Sequence, residues 1–327
     1  MAGSADSPSK PDPRAPDTGK PGSDQPDGSG SDRLAELRAQ IDAADAEMHR
    51  QLIDRGRIIA ELIEVKKLHA APSDPSSVQP AAHPSGQTFG HPSRHSGAAF
   101  RPDREASMMR RIAGRHEGEL PLSTVEHIWR EIIATFTQLQ SPFTVHAAGA
   151  GWPRMRDLLR YMFGFSTPLA DAPDSRSAVR AVASRGTDLA VVALATAAEE
   201  RWWDIEPRDG QDQAGFGQVC PGARVIALLP FLPIDDGLDL PPALVVGPTS
   251  VASPADLYIY ACTSAAKPAD DPAIRILSTG PDWMIFASAS TPEDVLSRRT
   301  GCVCLGGIAE PLAWPAGLPQ TRALTRN

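Results

Sequence analysis

Residues 32–70 read DRLAELRAQIDAADAEMHRQLIDRGRIIAELIEVKKLHA, with no proline, a single glycine and apolar residues three or four positions apart. That period is helical, and Ser31 or Asp32 stands where an N-cap belongs. Unbroken to about Leu68, the helix is about 55 Å long, far beyond the usual globular helix, and needs partners along its whole length. Positions 11 apart differ by only about 20° around the axis, so Leu37, Ala44, Met48, Arg55, Ile59, Leu62 and Lys66 form one stripe. Arg55 and Lys66 therefore occupy core positions about 16 Å apart, and no carboxylate shares their stripe. A bound polyanion is the fitting partner. Arg38 lies off the stripe and about 25 Å before Arg55, so it reaches the same ligand only from a second copy of the chain; a homodimer follows from that geometry. The competing reading keeps these cations as snorkelling side chains or interhelical ion pairs of a coiled coil.

Outward from this helix the text changes sharply. Residues 1–31 hold Pro, Gly, Ser, Asp and Lys with no apolar run and read as a disordered tail; residues 70–99, rich in Pro, Ser, Gly and His, read as an unstructured insert. A second helix opens at Phe100–Glu105, where Pro102 and the acidic residues suit a first turn, and runs to the 114–118 region. A third starts at Ser123, with Glu126 completing a capping box, and stops before Pro142. Beyond about Val145, short β-rich runs at 188–194, 224–229, 243–246, 257–261, 274–277, 283–287 and 302–305 alternate with helical stretches near 155–163, 175–185 and 291–298. The expected organisation is an all-α three-helix domain over 32–143 followed by an α/β domain over 145–327.

The 327 residues suit two domains, and 32 prolines are roughly twice the usual share, so part of the chain is expected not to fold. The formal net charge of −8 argues against a broad grip on nucleic acid or an anionic membrane, while a local basic pocket for a small anion stays compatible with it. No apolar run resembles a secretion signal or a membrane span, and Cys220, Cys262, Cys302 and Cys304 read as reduced thiols of a cytoplasmic protein.

Leu37-Arg38-x-x-Ile41-Asp42, then Arg55, Lys66, Arg104-Glu105 and a third helix ending in Gln140 resemble the all-helical, AroQ-type chorismate mutases over residues 32–143. The resemblance implies an intertwined homodimer of three-helix chains that converts chorismate to prephenate in phenylalanine and tyrosine synthesis, with one chain's first-helix arginine entering the other's site. It implies that Arg55 and the second copy's Arg38 bind the two carboxylates of chorismate, and that Lys66 and Gln140 hydrogen-bond the ether oxygen. Arg104 would add positive charge near a carboxylate and Glu105 would accept from the substrate hydroxyl. The rearrangement is pericyclic and needs no nucleophile, metal or cofactor; holding the enolpyruvyl chain over the ring and aiming donors at developing charge suffices. The sequence departs from the family at the long 70–99 connection, at Arg101, where an acidic residue is common, and at Phe136, where some members carry a small polar residue.

Residues 186–194 (GTDLAVVAL) resemble a segment of prephenate dehydratases, but that family's Thr-Arg-Phe triplet is absent, so the second domain reads as a related fold without dehydratase chemistry. His69, His83, His91 and His95 lie in or beside the insert and carry no fixed metal geometry, Cys302-x-Cys304 reads as apolar packing rather than zinc, and Trp202-Trp203 reads as core. Alternative functions are an isochorismate pyruvate lyase on the same fold, a bifunctional mutase–dehydratase, and a non-enzymatic coiled-coil dimer carrying a ligand sensor. Gln140 and both first-helix cations favour the mutase over the lyase.

Overall fold

The computed structural model describes residues 28–70 (side chains from 30 to 66), 100–149, 151–204, 222–232, 240–252, 254, 256–264, 274–299 and 301–315. The tail over 1–27 and the insert over 71–99 lie outside the described residues. The chain divides into two compact units, Met1–Ile58 and Ile59–Asn327.

The described part of the first unit is the beginning of α1 (Gly28–Ala70). The helix starts ahead of the expected cap, so residues 28–31 are helical and not tail; a nucleated helix extends at one hydrogen bond per residue fixed. Arg50 pairs with Glu47 at 2.6 Å and Asp54 at 3.0 Å, and Arg57 with Asp54 at 2.9 Å, the i,i+3 and i,i+4 reach of a solvated helix face. The apolar residues Leu34, Leu37, Ile41, Met48 and Leu52 of this segment are exposed.

In the second unit α2 (Pro102–Arg115) opens on proline with Asp103 and Glu105 in its first turn. In α3 (Leu122–Gln140) Pro121 is the N-cap and no side chain caps it. Ser123 therefore lies inside the helix and not at its cap, and the Glu126 carboxylate turns inward to Arg130 and Tyr161.

Among the described residues one nine-stranded sheet follows. Its strands are β1 (Val145–Ala148), β2 (Leu169–Ala172), β3 (Leu189–Ala193), β4 (Ala223–Leu229), β5 (Ala243–Pro248), β6 (Leu257–Thr263), β7 (Ile274–Thr279), β8 (Trp283–Ser288) and β9 (Cys302–Ile308), in the order β2-β1-β3-β5-β4-β9-β6-β8-β7. The first three are parallel, linked through α4 (Pro153–Phe163) and α5 (Ser175–Arg185); most later pairings are antiparallel. α6 (Leu194–Glu200) follows β3 directly and α7 (Pro292–Arg298) precedes β9. Alternate residues sort the core: Ala190 and Val192 of β3 pack with α5 and α6, while Leu189 and Val191 pack with Met155, Leu158 and Met162 of α4. Gly306 has φ +140, and a Cβ there would run into the Val225 backbone, so only glycine fits where β9 passes β4.

The boundary read near residue 144 is crossed by a shared core. Ala106, Met109 and Ile112 of α2 are buried with Phe231 and Leu232 after β4 and with Ala309 after β9, and Trp129 and Ile133 of α3 pack against them. Arg110 donates to Asp256 and to the Glu310 carbonyl, both at 2.7 Å, and its guanidinium lies over the Phe231 ring. Met109→Ala is expected to cost about 2–5 kcal/mol, the range for emptying a buried site. Urea unfolding followed by both helical and tryptophan signals should show one transition moving to lower denaturant; movement of the helical signal alone would mean that the two parts fold separately.

Candidate active site

Lys66 Nζ donates to Gln140 Oε1 at 3.3 Å, joining residues 74 apart in sequence. Gln140 Nε2 donates to the Phe136 carbonyl at 3.1 Å, one helical turn back, which fixes the amide with its oxygen toward the lysine. An open groove of about 770 Å³ is lined by Ala60, Glu61, Ile63, Glu64, Val65 and Leu139, the last two adjacent in sequence to Lys66 and Gln140, which do not themselves line it. An ammonium and an amide held together can both donate to one ligand oxygen, provided the amide turns its nitrogen toward it.

Arg104 and Glu105 are neighbours on α2 but face different surroundings, since successive helical residues are rotated by about 100°. Arg104 is exposed and makes no hydrogen bond or ion pair among the described residues. Glu105 is turned inward, its side chain 13% exposed, and its Oε2 accepts from Arg130 Nη1 at 3.2 Å. Arg130, 8% exposed, also donates through Nε and Nη2 to Oε1 of the fully buried Glu126, at 3.2 and 3.1 Å. The Tyr161 hydroxyl of α4 is shared between Glu126 Oε2 at 3.2 Å and the Ser123 carbonyl at 3.0 Å. Two carboxylates on one guanidinium leave an excess negative charge. Burial pushes the Glu105 carboxyl up to about 7, the Asp103 charge adds to the rise, and Arg130 opposes it. A cavity of about 40 Å³, enough for a water or two, lies beside the cluster among Phe100, Glu105, Arg130, Phe163 and Phe231.

Of the six residues read from sequence, the structure brings Lys66 and Gln140 into contact. Arg104 and Glu105 belong to the same compact unit but do not touch that pair. Arg38, exposed and without an ion pair among the described residues, and Arg55, half-buried, belong to the first unit. The sequence reading missed Arg130, Glu126 and Tyr161. The signal for two of them was present: Ser123, Glu126, Arg130, Ala134 and Thr137 form the buried stripe of α3, so a cation and an acid stand at core positions there.

Elsewhere, Cys262 of β6 and Cys302 of β9 face each other in the ladder and are joined as a disulfide, which corrects the reading of these two as reduced thiols. Cross-strand register, invisible in a spacing of 40 residues, brings them together. Cys304 is a free thiol pushed up by burial, and Cys220 lies outside the described residues. Trp202 and Trp203 are buried and meet edge to face, with Trp203 against Trp283, as core residues. Among the described residues no three His, Cys, Asp or Glu side chains converge on a metal position, and no helix is long and apolar enough to cross a membrane. His83, His91 and His95 lie outside the described residues.

Residues 37–141 match the family model of chorismate mutase type II. The match takes in all six site residues, from Arg38 to Gln140, and about a third of the chain; it does not extend over the sheet. No curated protein and no solved structure matches the chain.

Glu105 gives this cluster a pH signature. Its folded value near 7 lies above the ordinary 4.5, so its contribution to stability is full below about pH 4.5 and is lost as pH rises to about 7. Glu105→Gln removes that titration. Relative to wild type, the variant should gain up to about 3 kcal/mol between pH 4.5 and 7 and nothing further above it, read from urea midpoints across pH; a flat difference would show that Glu105 titrates normally.

Proposed function

We propose that the protein is a chorismate mutase, an isomerase that converts chorismate to prephenate for phenylalanine and tyrosine synthesis, and that it works as a homodimer. The observation that carries this reading is the Lys66–Gln140 contact, because it holds the two donors assigned to the ether oxygen together across 74 residues within a segment that matches the family. In this reading the breaking carbon–oxygen bond places growing negative charge between the Lys66 ammonium and the Gln140 amide. Arg55 and the second copy's Arg38 clamp the two carboxylates, which fixes the flexible enolpyruvyl chain over the ring. Arg104, exposed on α2, adds positive charge, and Glu105, with Oε2 tied to Arg130, offers Oε1 to the substrate hydroxyl. The exposed apolar residues Leu34, Leu37, Ile41, Met48 and Leu52 beside Arg38 support a second copy as their partner. No proton transfer, metal or cofactor is required.

Loss of chorismate absorbance with proton NMR of the product tests the assignment: prephenate as sole product is expected, phenylpyruvate would make the protein bifunctional, and pyruvate from isochorismate would make it a lyase. Lys66→Ala should lower kcat by about a hundredfold or more with a smaller change in KM; equal losses in both would remove Lys66 from its role. Arg38→Ala and Lys66→Ala chains should each be inactive alone, whereas co-refolded they should recover about a quarter of wild-type activity, since a mixed dimer holds one intact site. Absence of recovery would mean that Arg38 serves its own chain's site or none.

A further inference from the structure

The cluster beneath Glu105 is built from both halves of the chain, and nothing in the reaction scheme above uses Arg130, Glu126 or Tyr161. Arg130 is locked twice onto one oxygen of Glu126 and gives a single N–H to Glu105. The other oxygen of Glu126 is held by the hydroxyl of Tyr161, a residue of α4, the first crossover helix of the sheet. Tyr161 is itself fixed, buried with its ring stacked on His127 at 5.1 Å and its hydroxyl within 3.0 Å of the Ser123 carbonyl. The chain Tyr161, Glu126, Arg130, Glu105 thus runs from the α/β part to the acid that follows Arg104.

We propose that Arg130 and Tyr161 are positioning residues for the proposed mutase reaction, which make the α/β part a structural component of the site by holding Glu105 with Oε2 anchored and Oε1 directed to the substrate hydroxyl. The inference rests on the chorismate mutase reading for its substrate. The physical reason is the geometry of a guanidinium, whose forked donors can serve both oxygens of one carboxylate or be divided between two carboxylates. Nε and Nη2, one edge of the Arg130 guanidinium, both meet Oε1 of Glu126, whose Oε2 takes the Tyr161 hydroxyl, and Nη1 meets Glu105. Without that hydroxyl the Glu126 carboxylate can rotate to present both oxygens to that edge, which turns the guanidinium and draws Nη1 away from Glu105. The charged and titratable groups around Glu105 are Asp103 on its own helix, Arg130 and Glu126 on α3 and Tyr161 on α4, with His127 against the tyrosine; Met162, Phe163, Ile226 and Phe231 add apolar surface around the small cavity beside it.

Tyr161→Phe deletes one oxygen and leaves the ring packing intact, and Glu126→Gln neutralises the competitor for Arg130; the two should act in opposite directions. Glu105 ionisation is read by 13C NMR of glutamate-labelled protein, with Glu105→Gln assigning the resonance, and by the acid limb of kcat/KM for chorismate. In Tyr161→Phe both midpoints should rise by about half a pH unit or more, with activity recovering at high pH; in Glu126→Gln both should fall. Uniform loss of activity at every pH with the Glu105 midpoint unmoved in Tyr161→Phe would overturn the proposal and leave Tyr161 a packing residue. If wild type does not turn over chorismate, the substrate assignment fails, while the NMR midpoints still decide whether Tyr161 and Arg130 control Glu105; should Glu126→Gln not fold, Tyr161→Phe decides alone.

Discussion

A guanidinium buried at the meeting of three helices is the constraint on which the architecture turns. The Arg130 guanidinium, at 8% exposure, must be met by anions wherever it lies. Glu126 answers from one turn back on the same helix, Glu105 answers from α2, and Tyr161 of α4 holds Glu126 in place. Removing one partner from such a group leaves an uncompensated charge, typically a loss of about 3–5 kcal/mol. The axial rotations of α2, α3 and α4 are therefore coupled, and α4 is at the same time the helix whose Leu158, Leu159 and Met162 close one face of the sheet.

That coupling explains why the helices and the sheet share a compact unit although their sequence signals change near residue 144. Apolar burial around Met109, Phe231 and Ala309 supplies most of the adhesion, since it is non-directional and scales with area. Polar contacts supply orientation: Arg110 reaches Asp256 and the Glu310 carbonyl, and Glu131 accepts from the backbone N–H of Phe165 at the end of α4. A reaction catalysed by holding a substrate in one shape, with no covalent step, depends on such orientation more than on any reactive group.

Legibility of the elements followed their local signals. Strands β3 to β9 are apolar runs bounded by turn residues and were readable, as were α2, α3, α5 and α7, whose periods or opening residues mark them. The strands β1 (VHAA) and β2 (LADA) were not, because four residues rich in alanine carry little β preference and owe their state to their partners in the ladder. Helix α6, seven residues starting straight after β3, is too short to show a period. At the site, Lys66 could be named from its place on the first-helix stripe and Gln140 from the family resemblance, while the cluster of Glu105, Arg130, Glu126 and Tyr161 could not, since its members come from three helices.

By itself the sequence determined that a long helix carries Arg38, Arg55 and Lys66 at fixed axial and angular intervals, that two further helices follow, and that a mixed β-rich region succeeds them, because helical period and strand composition are local properties of the chain. Only the tertiary structure decided that Glu105 faces Arg130, that Tyr161 of the sheet region reaches the same cluster, and that Cys262 meets Cys302. Those outcomes depend on which faces bury against one another and in what register, and that choice is made by the whole core at once.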